Sequence, residues 1–216
     1  TKLNEYLARL SKVEQSKFDA WDKDKQLAFL INAYNAYTIA FILTEYPDIA
    51  SIRDLGSFFS SPWKKEIAPL LGETRTLDEI EHELIRGTNQ TTKTYNEPRI
   101  HFAVNCASVG CPALREEAYT GNKLDEQLEA QTKRFLSDSA RNKISGDTLY
   151  LSKIFDWYSE DFEGKYGEWR DTSTLNEFIL LYKDAMRLTE AQVSALKNNT
   201  ADIEYLNYDW ALNVAQ

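Results

Sequence analysis

The sequence of 216 residues is poor in the side chains that most often carry chemistry, with two cysteines, two histidines and one methionine. Positive charge is also scarce, because 25 Lys and Arg residues stand against 34 Asp and Glu residues. The resulting net charge of −9 at pH 7 disfavours binding to nucleic acid and to anionic membrane surfaces. We therefore expect no nucleic-acid partner.

Several familiar motifs are missing as well. The chain has no GxGxxG segment, no P-loop and no GxSxG sequence, so nothing in it indicates a nucleotide cofactor or a serine hydrolase. We expect no cofactor. The most apolar stretch, residues 26–46, contains two asparagines and several tyrosines, so it is too polar to predict a membrane span. The chain begins at Thr1 without a methionine and shows no export signal or lipidation motif, so we expect it to be a processed piece.

The length and the hydrophobic content of 43% suit one domain with a substantial core. Residues 26–46 carry apolar side chains all the way round the helical period, which predicts a buried central helix. Periodicity predicts further helices over residues 3–18, 76–86 and 122–138, and strands over residues 100–105, 148–154 and 203–210. We predict a single α+β domain over residues 1–216, mainly helical, with a small antiparallel or mixed sheet around the central helix.

Two asparagines, Asn32 and Asn35, interrupt the apolar surface of the predicted central helix. A buried amide that lacks hydrogen bonds costs about 1–3 kcal/mol, so each needs partners. We expect both to tie neighbouring loops to the core. The alternative is that one of them reaches a substrate or a catalytic group.

Both cysteines and one histidine lie within fourteen residues, 99–112, which read RIHFAVNCASVGCP. Thiols and imidazoles are the side chains best suited to nucleophilic and proton-transfer work near neutral pH. The predicted strand over residues 100–105 would deliver Cys106 at its end. We therefore look for the chemical site in this segment.

The other histidine, His82, lies on the predicted helix over residues 76–86. Thr76 and Glu79 fit a capping box at the start of that helix. Asp78 is four residues before His82 and shares its side of the helix. Glu81 falls within the apolar stripe, where a carboxylate needs a partner.

These residues predict a cysteine-dependent hydrolase or acyltransferase with a papain-like site. Cys106 is the nucleophile, His82 is the base, and Asp78 or Glu81 orients the imidazole. Backbone amides in residues 107–110 would stabilise an oxyanion. Such a site acts on an amide, thioester or peptide bond, so the expected partner is a small-molecule or peptide substrate.

Other roles for the cysteines stay open. Cys106 is alternatively a small core residue, or it closes a disulfide loop with Cys111. In either case the chain is a non-catalytic ligand- or protein-binding module with a structural Cys/His cluster. Cys111, which precedes Pro112 at a possible helix start, is a rival nucleophile.

His101 is a second catalytic candidate, and alternation along the predicted strand places it on the same face as Asn105. Asp209 reaches the site if the terminal strand pairs with residues 100–105, but we expect it instead to cap the backbone or to face solvent. The two histidines and two cysteines match no standard zinc spacing, so we expect no metal site.

Four segments carry a family resemblance: FLINAYNAYTI (29–39), TLDEIEHELIR (76–86), RIHFAVNCASVGCP (99–112) and YLNYDWALN (205–213). Together they resemble the family called domain of unknown function 547, from about residue 20 to the C-terminus. The family pattern admits a Ser-Pro pair where this chain has Cys111-Pro112, which favours Cys106 as the nucleophile. Bacterial proteins of this kind often carry an export signal, so the resemblance implies a periplasmic or secreted protein.

Overall fold

The computed structural model describes residues 1–57, 59–89, 93–146, 148–165 and 167–214. Within these ranges the chain is mainly helical with two small sheets, which confirms the predicted α+β class. The chain forms two compact units. Unit 1 comprises Thr1–Tyr95, Ala103–Gln127 and Asp209–Gln216, and unit 2 comprises Asn96–Phe102 and Leu128–Tyr208. The single domain over residues 1–216 stays a prediction.

Unit 1 begins with three helices: α1 (Lys2–Leu10), α2 (Gln15–Asp19) and α3 (Lys23–Ile42). The single helix predicted over residues 3–18 is wrong. Its break begins at Ser11, whose hydroxyl donates to the Ala8 carbonyl at 3.2 Å and so competes with the helical backbone.

The predicted central helix is confirmed as α3. Asp22 caps it, because its Oδ1 accepts a hydrogen bond from the Lys25 backbone N–H at 2.9 Å. Most of its side chains are buried, from Leu27 to Ile42. Within the described residues, no helix is both long and apolar enough to cross a membrane.

The rest of unit 1 up to residue 95 consists of short elements. Strands β1 (Ala68–Leu70) and β2 (Glu73–Arg75) pair antiparallel. Leu71 and Gly72 connect them, both at positive φ, as a tight hairpin turn requires. A π-helix, Glu79–Ile85, follows shortly after β2.

The strand predicted over residues 100–105 is wrong. Pro98–Phe102, in unit 2, forms a 3₁₀ helix, and the chain continues to Asn105 without regular structure. In unit 1, the Asn35 side chain takes the place of a strand neighbour. Its Nδ2 donates to the Ala103 carbonyl at 3.0 Å, and its Oδ1 accepts from the Asn105 N–H at 2.8 Å. The backbone is therefore satisfied without a sheet.

Helix α4 (Leu124–Leu136) confirms the helix predicted over residues 122–138 and leads into unit 2. There a mixed sheet forms in the order β3 (Lys143–Ser145), β4 (Thr148–Leu151), β5 (Asp202–Tyr205), with β4 and β5 parallel. Four short helices complete unit 2: α5 (Ile154–Trp157), α6 (Ser159–Phe162), α7 (Leu175–Leu181) and α8 (Glu190–Lys197). Phe102, Phe155, Phe162 and Phe178 form the centre of its apolar core.

Candidate functional site

The structure joins Cys106 and Cys111 in a disulfide. This confirms the alternative in which the two cysteines close a small loop, and it means that neither sulfur is present as a thiol in this state. Cys106 is half-buried and Cys111 is fully buried. Residues 105–112 are called the disulfide loop below.

Asparagine side chains hold the disulfide loop in place. Asn105 Nδ2 donates to the Pro112 carbonyl at 2.6 Å, and Asn105 Oδ1 accepts from the Ala107 N–H at 2.8 Å. Asn35 holds the segment that enters the loop, as described above, and Asn32 binds the Tyr119 backbone through both its oxygen and its nitrogen. The expectation that Asn32 and Asn35 tie loops to the core is therefore confirmed.

Residues 209–214, called the C-terminal segment, run along the disulfide loop. The Val109 and Gly110 N–H groups donate to the carbonyls of Ala211 and Asp209, at 2.8 and 2.9 Å, and the Asn213 N–H donates to the Ala107 carbonyl at 2.8 Å. No strand over residues 100–105 exists for it to pair with, because the contact is with the loop itself.

The side chain of Asp209 turns to its own backbone, because its Oδ1 accepts a hydrogen bond from the Ala211 N–H at 2.9 Å. The expectation that Asp209 caps its own backbone is therefore confirmed.

Three of the four amides expected to stabilise an oxyanion in residues 107–110 are engaged within the protein in this state. The N–H groups of Ala107, Val109 and Gly110 all donate within the protein, to Asn105 and to the C-terminal segment. An oxyanion site needs donors that point at the reacting atom. These three amides therefore position the loop instead.

The π-helix carries the second group of candidate residues. Its start confirms the predicted capping box: the Glu79 N–H donates to Thr76 Oγ1 at 3.0 Å, and the Thr76 N–H donates to Glu79 Oε2 at 2.6 Å. π-turns are uncommon and occur often at functional sites. Glu81 is buried, as the apolar stripe predicted.

On this helix, His82 lies between the carboxylate of Asp78 and the guanidinium group of Arg86. Its Nε2 is 3.8 Å from Asp78 Oδ1, and both side chains are about one-third exposed, at 34% and 31%. Its Nδ1 is 3.0 Å from Arg86 Nη1. A guanidinium group only donates, so Nδ1 accepts and the proton of the neutral ring is on Nε2, facing Asp78. The predicted Asp78–His82 pair is present, and Arg86 occupies the nitrogen that a base would use.

Asp78 is the perturbed carboxyl of this group. Burial raises the pKa of Asp78 above its ordinary value; the nearby His82 opposes that rise, and the negative charge of Glu81 adds to it. Perturbed carboxyl groups beside a histidine are frequent at functional sites. Asp78 therefore stands out from the other acidic residues of the helix.

Helix α3 supports both groups within unit 1. It packs against the π-helix, and its Asn35 holds the backbone at Ala103 and Asn105. Sequence reasoning assigned Cys106, His82, Asp78 and Glu81 to one site. Asp78, Glu81 and His82 lie on or beside the π-helix that packs against α3, and Cys106 follows a backbone segment that Asn35 of α3 binds.

His101 belongs to unit 2 and has a different environment. It is buried, its Nε2 donates to Asp161 Oδ2 at 2.7 Å, and its ring stacks on Tyr158 with centroids 4.1 Å apart. The strand that was to place it on one face with Asn105 does not form, so that expectation is wrong. In the described residues no cluster of three or more His, Cys, Asp or Glu residues has metal-binding geometry.

Sequence reasoning missed three residues of these surroundings. Arg86 is four residues after His82, so helical spacing would have found it. Ser108, whose Oγ is 3.1 Å from Cys106 Sγ, and Asp161, sixty residues from His101, carry no comparable local signal.

A family model described as protein of unknown function, DUF547, matches residues 18–136. The match covers more than half of the chain and includes the π-helix and the disulfide loop. It ends before residues 205–213, so the expected extent to the C-terminus is only loosely right. Comparisons with curated proteins and with solved structures found no match.

Proposed function

The chain belongs to the DUF547 family of unknown function, and on that premise we propose that its reduced form is a cysteine-dependent hydrolase or acyltransferase. Cys106 is the nucleophile and His82 the base, and the substrate carries an amide, thioester or peptide bond. The observation that carries this proposal is that the half-buried Cys106 lies on a loop whose two ends are held by hydrogen bonds of Asn35 and Asn105. Catalytic groups need such fixed supports.

Backbone strain beside Cys106 supports the proposal. Ala107 has a φ of 61°, a left-handed conformation that is costly for a residue with a side chain. The hydrogen bond from its N–H to Asn105 Oδ1 maintains that conformation. Strain of this kind is concentrated at functional sites, where it directs a side chain toward its target.

The acid that orients His82 is Asp78 rather than Glu81 in this proposal. Asp78 faces the protonated Nε2 and is partly exposed, whereas Glu81 is buried. Arg86 must leave Nδ1 before His82 takes a proton from Cys106. The thiolate then attacks the carbonyl carbon, the leaving group departs with the proton from His82, and water or an amine resolves the acyl-cysteine.

The disulfide also bears on location. Disulfides form and persist in oxidising compartments such as the periplasm and the extracellular space. It therefore supports the proposal that the protein is periplasmic or secreted.

The test uses variants that differ in which sulfur remains. Cys111→Ser leaves Cys106 reduced, and we expect this variant to hydrolyse a model thioester with an acyl group trapped on Cys106. Cys106→Ala/Cys111→Ser is the matched control and should be inactive, while His82→Asn on the Cys111→Ser background should lose about 10²-fold, the usual contribution of a general base. Equal rates in all three variants would disprove the proposal.

A second candidate function, a ligand-binding module, rests on a cavity of about 710 Å³ in unit 1. Trp21, Phe29 and Tyr119 supply aromatic surface, and the exposed Asp24 and Lys25 supply polar groups. A ligand with one apolar face and several hydroxyl groups matches this lining. Titration of a small panel of sugars, followed by tryptophan fluorescence, tests it, with Trp21→Ala as the variant expected to abolish any response.

A further inference from the structure

The two cysteines of the disulfide differ in exposure, and their sulfurs have different hydrogen-bond partners. Cys106 is half-buried, whereas Cys111 is 3% exposed. The Cys106 backbone N–H donates to Cys111 Sγ at 2.8 Å. An incoming thiolate reaches the accessible sulfur more readily, and a sulfur whose developing negative charge is stabilised departs more readily. The greater exposure of Cys106 favours attack there, and the amide that donates to Cys111 Sγ makes Cys111 a competent leaving group.

We propose that the Cys106–Cys111 disulfide is a thiol–disulfide exchange site for low-molecular-weight thiols, with Cys106 as the sulfur attacked. A thiolate forms a bond to Cys106 Sγ, the bond to Cys111 breaks, and its electron pair stays on Cys111 Sγ. A second thiolate attacks the bound thiol's sulfur, which releases Cys106 as a thiolate. Two small thiols are oxidised to one disulfide, and their protons pass to Cys106 and Cys111.

The disulfide loop has supports that do not involve sulfur. Asn35 and Asn105 hold its ends, and the C-terminal segment binds Val109 and Gly110 through backbone hydrogen bonds. We therefore expect cleavage of the disulfide to convert Cys106 to a thiol while these hydrogen bonds keep the loop backbone in place. Ser108 Oγ, 3.1 Å from Cys106 Sγ, is in position to donate a hydrogen bond to the thiolate that is released.

This exchange has a regulatory consequence, which rests on the proposed function. While the disulfide is intact, Cys106 has no thiolate and cannot act as a nucleophile. Exchange with a small thiol converts the chain to the form that carries the proposed hydrolase. The site would then respond to the thiol concentration of its surroundings.

The experiment maps the adduct. The folded protein is mixed with 2-mercaptoethanol, quenched at intervals with acid and N-ethylmaleimide, and digested for mass spectrometry. We expect the mixed disulfide on Cys106 and maleimide on Cys111, with at least a ten-fold excess of that arrangement over the reverse. An adduct mainly on Cys111 overturns the proposal, as does a disulfide that the thiol cleaves in urea but not in the folded protein.

Two single variants provide the matched pair. Cys111→Ser, treated with 2-hydroxyethyl disulfide, should take the adduct on Cys106 at least ten times faster than Cys106→Ser takes it on Cys111. Circular dichroism shows whether both variants are folded, and the wild-type mapping stands by itself if one of them is not. Equal rates in two folded variants would contradict the assignment of Cys106.

Thioester hydrolysis separates this inference from the proposed function. An adduct on Cys106 in a reduced protein that hydrolyses no thioester supports the exchange site and removes the hydrolase, together with its regulation. Hydrolysis that is equally fast in the oxidised and reduced proteins overturns the regulatory part. Hydrolysis that rises with the fraction of reduced Cys106 supports both.

Discussion

Two histidines in this chain each face an aspartate, and their surroundings differ in a way that separates structure from chemistry. In unit 2, the side chains of His101 and Asp161 are 1% and 4% exposed, and His101 Nε2 is 2.7 Å from Asp161 Oδ2. In unit 1, the side chains of His82 and Asp78 are 34% and 31% exposed, and His82 Nε2 is 3.8 Å from Asp78 Oδ1. A buried close pair holds elements together, whereas a looser, accessible pair is able to meet a substrate.

The same contrast extends to the residues around each pair. Aromatic rings enclose His101, with Tyr158 stacked on it and Phe162 tilted against it. His82 instead contacts Arg86, which is a polar neighbour with its own hydrogen-bonding capacity. The lesson is that a histidine near an acid indicates a catalytic candidate only when its surroundings leave room for another molecule.

The largest effect should come from breaking the buried pair. Asp161→Ala removes the acceptor to which the buried His101 ring donates, and breaking a buried pair by removal of one partner costs about 3–5 kcal/mol. We expect the free energy of unfolding to fall by about that amount in urea denaturation. The matched change in the more accessible pair, Asp78→Ala, should cost less than about 1 kcal/mol, because solvent screens that pair and its atoms are farther apart. Equal losses would remove the distinction between the two pairs.

The support beneath the disulfide loop should show an intermediate effect. Asn35→Ala removes two hydrogen bonds and leaves the Ala103 carbonyl and the Asn105 N–H without those partners. At about 1 kcal/mol for each bond, we expect a loss of about 2 kcal/mol in the free energy of unfolding. Substitution of the exposed Asn122 by Ala is the control, and a comparable loss there would show that Asn35 has no special role.

A smaller effect should appear in the pH dependence of stability. Because burial raises the pKa of Asp78 in the folded protein, that state binds the proton more tightly than the unfolded state does. The protonated Asp78 carboxyl therefore stabilises the folded state most at pH values below its ordinary pKa of 3.8. This contribution is lost as the pH rises through the raised pKa of the folded state, and it does not return at higher pH.

Asp78→Asn should remove this decline, which urea denaturation at a series of pH values measures. The exposed Asp209, changed to Asn, serves as the control. An unchanged pH profile in Asp78→Asn would mean that the carboxyl titrates alike in both states.

The smallest effect is spectroscopic. The contact with Arg86 requires the neutral His82 ring to carry its proton on Nε2. Nitrogen NMR at a pH where His82 is neutral should report that tautomer, and Arg86→Gln should weaken the preference. A spectrum with the proton on Nδ1 would contradict the observed contact.

Local spacing accounts for what the sequence predicted correctly. The capping box at Thr76 and Glu79, the pairing of Asp78 with His82 and the buried central helix all depend on residues within a few positions of one another. The strand over residues 100–105 failed because its apolar run fits a buried segment of any backbone shape. Side-chain hydrogen bonds from Asn35, far away in sequence, satisfied that backbone instead.

The sequence by itself determined helices α3 and α4, the α+β class and the concentration of cysteine and histidine in one part of the chain, because periodicity and composition act over short distances. Only the tertiary structure decided the state of those groups. It brought the sulfurs of Cys106 and Cys111 together, laid the C-terminal segment along their loop and enclosed His101 with Asp161. The physical reason is that burial and partner distance depend on how distant segments pack, and these two quantities decide whether a cysteine or a histidine is able to react.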